Sequence, residues 1–156
     1  MTVETRCGKL SFTGWMASGF GLGFCPLAPG TAATLGIALL WGLLPPIDAL
    51  PHASLLVAVL VIGVPVTSHG EHLFGHDAGC IVWDEFGGFL IAVWGLPNDW
   101  LVIALAFALF RLFDVTKIFP IGLSQRLPRG WGVMVDDVLA GIYANVALQL
   151  YFHLLA

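Results

Sequence analysis

Two adjacent carboxylates, Asp84 and Glu85, stand inside an apolar run that begins at Ile81 and continues through Phe89, Leu90, Ile91, Ala92, Val93 and Trp94. An ionised carboxylate without a partner is very costly to bury, and inside a membrane such groups persist where they are paired or have a task. Whatever fold the chain adopts must bring partners to this pair. The other polar residues are therefore read first as candidates for that role.

A chain of 156 residues is long enough for one domain and short for two. Only 10% of its residues are charged and 58% are hydrophobic, with a mean hydropathy of +0.92. A soluble domain carries about a quarter charged residues. So little charge cannot clothe a water-facing surface, and the composition predicts an integral membrane protein. The formal charge of -4 says little about partners, because the acids fall in motifs; no nucleic-acid partner is expected. Cys7, Cys25 and Cys80 are odd in number and lack C-x-x-C spacing, which indicates neither a disulfide framework nor a zinc site. They read as small embedded thiols. The first apolar run is broken by glycines and does not have the form of a cleavable signal peptide.

Read in order, the chain predicts an all-α, polytopic transmembrane bundle of about five spans. Residues 1–10 are polar. Residues 11–29 are rich in glycine and aromatics, which fits an interfacial or re-entrant segment better than a span. The expected spans are 31–44, 53–67, 80–95, 100–115 and 133–155, several of them short of the ~20 residues that a ~30 Å hydrocarbon core requires. Between them lie a turn at Pro45-Pro46-Ile47-Asp48, a polar loop over 68–79, a tight turn at Leu96-Pro97-Asn98-Asp99 and a basic connection over 116–131. No internal repeat is visible.

All six basic residues, Arg6, Lys9, Arg111, Lys117, Arg126 and Arg129, precede the first span or surround the connection between the fourth and fifth. The turns near Asp48 and Asp99 hold none. The positive-inside rule then places the N-terminus in the cytoplasm and the C-terminus in the periplasm. On that topology Gly30-Thr31, the segment from His69 to Glu85, the segment from Arg111 to Lys117 and Asp136-Asp137 all lie towards the cytoplasmic face.

Arg111, Asp114 and Lys117 follow an i, i+3, i+6 spacing, which a helix places on one face. Snorkelling basic residues at a helix end would give the same pattern. Arginine inside an apolar sequence is also the usual bidentate ligand for phosphate. Asp77 and Asp84 are about two helical turns apart and can share a side. With Glu85, Asp136 and Asp137 they offer five acids to one pocket, more than Arg111 and Lys117 can neutralise. A divalent cation resolves the excess, and an all-oxygen set suits Mg²⁺ better than zinc. An acidic helix start would also account for Asp136-Asp137. His69, Glu71, His72 and His76 read mainly as exposed loop residues, with His76, beside Asp77, kept as a supporting candidate. Pro29-Gly30-Thr31 with Thr34 marks a helix start whose N–H groups can cradle an anion.

Common phosphatase and transferase signatures are missing: C-x5-R, D-x-D-x-T, the P-S-G-H histidine signature and D-G-x-x-A-R. The motifs that are present run from Gly19-Phe20-Gly21-Leu22-Gly23 and Pro26 to Pro29-Gly30-Thr31, then His76-Asp77 and Ile81-Val82-Trp83-Asp84-Glu85-Phe86 with Gly88. Phe110-Arg111-Leu112-Phe113-Asp114, Lys117, Phe119-Pro120-Ile121 and the stretch from Gly130 to Gly141 complete them. In this set and order the chain resembles the phosphatidylglycerophosphatase A family, membrane enzymes that remove the terminal phosphate of phosphatidylglycerophosphate. It departs from the family's frequent K-P-x-P-I, having Ile118 after Lys117, and has Asp77-Ala78-Gly79 where many members have D-P-x-E. Neither departure removes a charged candidate.

The resemblance implies a Mg²⁺-dependent phosphomonoesterase of the bacterial inner membrane, with a site facing the cytoplasm and a phospholipid substrate drawn from the bilayer. On that expectation Asp84, Glu85, Asp136 and Asp137 hold the metal with Asp77 nearby. Arg111 and Lys117 clamp the phosphate, Gly30 and Thr31 add hydrogen bonds, and Asp114 and His76 support. The oligomeric state is open. Two other classes fit the buried acids: a small cation or solute transporter, and an assembly subunit whose acids pair across helices.

Overall fold

The computed structural model describes residues 11–124 and 127–155. Arg6, Lys9 and Arg126, which enter the charge argument for topology, and the thiol of Cys7 lie outside them. The described residues are all-α: α1 (Phe12–Ala17), a single 3-10 turn (Leu22–Phe24), α2 (Pro29–Leu43), α3 (Ala49–Phe74), α4 (Trp83–Ala92), α5 (Trp100–Thr116), α6 (Ile121–Ser124) and α7 (Gly130–Leu155).

Local chemistry sets these boundaries. Proline opens α2, where its missing N–H has no intrahelical acceptor to lose, and Pro45-Pro46 forces the extended backbone at Leu44 that ends it. Asp99 caps α5 by accepting from the N–H of Leu101 at 2.8 Å. Lys117 ends α5 in the left-handed conformation (φ 47°). Proline at position 65 lies within α3, and the hydroxyls of Thr67 and Ser68 donate to the carbonyls of Gly63 (2.9 Å) and Val64 (2.6 Å) just beyond it.

Among the described residues two helices, α3 and α7, are long and apolar enough to cross a membrane, and α2 is a shorter apolar helix. Only 17% of the most apolar stretch of α3 is buried, whereas the core helix of a water-soluble protein is mostly buried. The stretch expected as the third span, 80–95, forms a helix of just 10 residues. At 1.5 Å per residue that is about 15 Å, half a hydrocarbon core. Residues before Trp83 form turns and irregular chain, and the helix turns out at Val93, with Gly95 at φ 68°. Meanwhile α3 runs on to Phe74, so His69, Glu71 and His72 sit on a helix, not in the polar loop that their composition predicts.

The helix α4 sits at the centre. Nine of its ten residues are buried, and it lies against α2, α3, α5 and α7. Glycine makes its closest approach possible: a Cβ on Gly141 of α7 would fall on the carbonyl oxygen of Gly88, and one on Gly88 would lie 2.8 Å from the carbonyl oxygen of Asp137. Phe89, Leu90, Phe110, Ile121, Ala144 and Leu148 fill the space around this crossing. The carbonyls at the far end of α4 are met by side chains. Nε2 of His52 donates to Leu90 at 3.0 Å, and Nδ2 of Asn145 to Ala92 at 3.1 Å and Trp94 at 2.8 Å. The glycine-rich segment 11–29 forms no span. It folds back as α1 and the 3-10 turn, where the N–H of Val82 donates to Ala17 and that of Gly23 to Ser18. Cys25 and Cys80 are both half-buried.

Candidate active site

Four helix ends meet at one end of the bundle. The N-terminus of α2 supplies Pro29, Gly30 and Thr31, and the first turn of α4 supplies Asp84 and Glu85. The last turns of α5 supply Arg111 and Asp114, the position just past its end supplies Lys117, and α7 supplies Val133, Asp136 and Asp137. Together with the loop at Asp77-Ala78-Gly79 they line a cavity of about 320 Å³. Its six carboxylates outnumber its two cations three to one.

The cations are already engaged. Nη1 of Arg111 donates to Glu85 at 2.5 Å (Oε1) and 2.7 Å (Oε2), and lies 2.9 Å from Oδ2 of Asp114, its i+3 neighbour on α5. Nζ of Lys117 is paired with Oδ2 of Asp136. Burial lowers the Lys117 ammonium, but its bond to Asp136 and the charges of Asp136, Asp114 and Asp77 outweigh this and hold it above the ordinary lysine value. Lys117 is therefore cationic throughout the neutral range.

Two hydroxyls absent from the sequence-based set of site residues hold the acids of these pairs. Thr34, fully buried, donates to Oε2 of Glu85 at 2.7 Å and lies 2.9 Å from the carbonyl of Gly30. Ser124 reaches Oδ1 of Asp136 at 3.2 Å, its hydroxyl also lying 2.6 Å from the carbonyl of Ile121. The position of Thr34, one turn into the helix that Pro29 opens, is a usable signal, though beside Gly30 and Thr31 it reads as part of an anion cradle. Nothing in the sequence marks Ser124. Gly30 packs directly on the Glu85–Arg111 pair: a Cβ there would fall on Oε1 of Glu85 and stand 3.2 Å from both terminal nitrogens of Arg111.

Oδ1 of Asp84 and Oδ2 of Asp137 are buried with no hydrogen-bond partner among the described residues. Asp137 lies in the electrostatic field of Asp84, Glu85 and Asp114. This donor chemistry, all carboxylate oxygen with two buried oxygens unmatched, fits a hard divalent cation such as Mg²⁺. Among the described residues no three His, Cys, Asp or Glu side chains stand close enough together to form a ready-made metal group, so a bound ion would have to draw ligands in.

Sequence position misleads at four points. Asp136 and Asp137 do not open a helix: α7 starts at Gly130 and has no acid in its first turn, so they occupy its interior face. Asp77 and Asp84 do not share a helix, because Asp77 lies in the loop before α4 with φ 48°; both nevertheless line the cavity. His76 points elsewhere, with Nδ1 2.5 Å from Oε1 of Glu71, in a separate groove lined by Ser68, His69, His72 and Arg129. Lys117 is likewise past the helix end, not on the α5 face, yet its ammonium returns to the cavity.

Residues 15–152 match the family described as Phosphatidylglycerophosphatase A. The chain is 37% identical over 141 residues to Phosphatidylglycerophosphatase A of Escherichia coli, spanning 88% of this chain and 82% of that protein. It is 39% identical over 137 residues to the Haemophilus influenzae protein of the same name, spanning 85% and 84%. A Bacteroides thetaiotaomicron protein provisionally named phosphatidylinositol-3-phosphatase is 38% identical over 144 residues, spanning 86% and 90%. No solved structure matches the chain.

Proposed function

The chain belongs to the phosphatidylglycerophosphatase A family, and from that premise we propose that it hydrolyses the terminal phosphomonoester of phosphatidylglycerophosphate, giving phosphatidylglycerol and phosphate. The observation that carries the reading is the single cavity in which an excess of carboxylates, two cations and an uncapped helix N-terminus converge. A phosphomonoester needs those three features together. Its dianion asks for cationic and N–H donors, and its hydrolysis asks for groups that hold a cation and orient water.

The site belongs to a protein of the bacterial inner membrane that crosses it about five times, with the cavity on the cytoplasmic side. The largely unburied apolar surface of α3 supports a lipid environment. The absence of basic residues from the turns at Asp48 and Asp99 supports the orientation. The diacylglycerol tails of the substrate stay in the bilayer, and only the head group enters the cavity.

Arg111 and Lys117 contact the non-bridging oxygens and stabilise the charge that builds on them in the transition state. The N–H groups of Gly30 and Thr31 have no intrahelical acceptor and no side-chain cap, so they are available to the same oxygens. Asp114 keeps Arg111 oriented when the phosphate competes with Glu85. Asp84, Glu85, Asp136 and Asp137 are the pool from which Mg²⁺ is held, with Asp77 at the rim. When bound, Mg²⁺ neutralises phosphate charge and makes water more acidic. Water attacks phosphorus directly, the bond from phosphorus to the glycerol oxygen breaks, and the alcohol leaves protonated.

The test is phosphate release from phosphatidylglycerophosphate in detergent micelles, with Mg²⁺ or with EDTA, for wild type and Asp84→Asn. Release that needs Mg²⁺ and is lost in Asp84→Asn is expected. A parallel arm with phosphatidylinositol 3-phosphate reports head-group preference. A folded wild type that releases nothing from either lipid would end the phosphatase reading and return attention to cation transport.

A further inference from the structure

The four acids of the two adjacent pairs are not equivalent in their bonding. Both oxygens of Glu85 are taken by protein donors, Arg111 on Oε1 and Oε2 and Thr34 on Oε2. Both oxygens of Asp136 are likewise taken, Lys117 on Oδ2 and Ser124 on Oδ1. Asp84 and Asp137, 8% and 3% exposed, each keep a buried oxygen with no partner among the described residues. Both line the same cavity. Each doublet thus has one satisfied and one unsatisfied member.

A buried carboxylate oxygen left without a donor is costly, and a carboxylate already satisfied by a cation and a hydroxyl loses those bonds if it turns to a metal. We infer that the doublets divide their labour: Asp84 and Asp137 are the protein ligands of the divalent cation, and Glu85 and Asp136 are positioning residues that hold Arg111 and Lys117 for the phosphate. Thr34 and Ser124 complete the arrangement by fixing the second oxygen of each positioning acid. The inference rests on the metal-dependent phosphatase reading above and narrows its pool of four ligands to two. Water and the substrate phosphate supply the remaining coordination, as is usual for Mg²⁺ at phosphate sites.

The experiment measures Mn²⁺ binding to the full chain in detergent by electron paramagnetic resonance of the free ion, without substrate, for wild type, Asp84→Asn, Asp137→Asn, Glu85→Gln and Asp136→Asn. Each change is isosteric and removes one negative charge, and monodisperse elution with a cooperative melt certifies folding. Loss of an outer-shell partner typically costs about 10–100-fold in metal affinity, so loss of a ligand should cost at least about 100-fold. That loss is expected for Asp84→Asn and Asp137→Asn, with Glu85→Gln and Asp136→Asn staying within about tenfold. The latter two should instead raise the inhibition constant of inorganic phosphate, whose clamps they orient. Equal losses in all four, or the larger losses at Glu85 and Asp136, overturn the division. Should Asp84→Asn or Asp137→Asn not fold, an Mn²⁺ affinity lowered about 100-fold or more in Glu85→Gln or Asp136→Asn still overturns it. Wild type that releases phosphate but binds no Mn²⁺ overturns this inference while sparing the phosphatase reading. Wild type that binds Mn²⁺ but hydrolyses neither lipid sinks that reading and leaves the ligand comparison to stand by itself.

Discussion

Arg111 and Thr34 show how much a single side chain carries in this cavity. Arg111 meets both oxygens of Glu85 and also Asp114 through Nη1 alone, whereas lysine would have a single nitrogen to share among both acids and the phosphate. Arg111→Lys should lower kcat/KM for the lipid phosphomonoester by about 100-fold or more, the cost of losing a donor at a developing charge. A variant within threefold of wild type would remove Arg111 from the phosphate. Thr34→Val keeps the volume and deletes the hydroxyl that serves Glu85, leaving a buried acceptor short of a donor. It should destabilise the protein by about 1–3 kcal/mol, and Thr34→Ser should restore most of that. A melting comparison in one detergent decides it. At this scale the acids and Arg111 were legible in the sequence because a charge in an apolar run is conspicuous. Thr34 and Ser124 were not, because a hydroxyl is unremarkable until the group it serves is located in space.

Among the elements, the crossing of α4 and α7 sets the cavity, since it carries Asp84 and Glu85 on one helix and Asp136 and Asp137 on the other. Its backbones approach so closely that Gly141→Leu would drive a side chain into the carbonyl of Gly88. Ordinary overpacking costs about 1–3 kcal/mol, and a backbone clash at a buried crossing exceeds this. Gly141→Leu should fail to yield folded protein, whereas Val146→Ala, at an exposed position of the same helix, should fold as wild type. A monodisperse, active Gly141→Leu protein would contradict the crossing. Helix identity was legible from the apolar runs and their turns, but helix length was not. Where nearly every residue is apolar, periodicity gives no edge, so the whole of 80–95 read as one helix although α4 takes only ten of those residues. The polar residues from Ser68 to His72 looked like a loop although the helix carries them, and the glycines at 130 and 132 hid the start of α7.

For the whole molecule, the membrane orientation is the property that a single labelling experiment can reach. If α3 crosses the bilayer, its two ends, near Asp48 and near His76, lie on opposite sides. In a cysteine-free background a cysteine at Asp48 should react with a membrane-impermeant maleimide from the periplasm, and one at His76 should react only after the cells are opened. The reverse pattern would place the cavity outside and contradict the proposed topology. The convergence of distant charged segments at one end was legible because the basic residues avoid two turns. The separate groove around His76 was not, since adjacency to Asp77 in sequence says nothing about which way a loop residue faces.

The brevity of α4, together with its enclosure, bears on how the protein would respond to its bilayer. A transmembrane helix that meets lipid adjusts to hydrocarbon thickness by tilting or by deforming the membrane. Here that burden would fall on α3 and α7, whose outer faces are apolar. The helix that carries Asp84 and Glu85 is walled in by its neighbours, and its last carbonyls are held by His52 and Asn145. It has almost no surface on which lipid can pull. The two carboxylate doublets would therefore keep their spacing in thin and thick membranes alike, making the cavity a fixed gauge inside a frame free to lean.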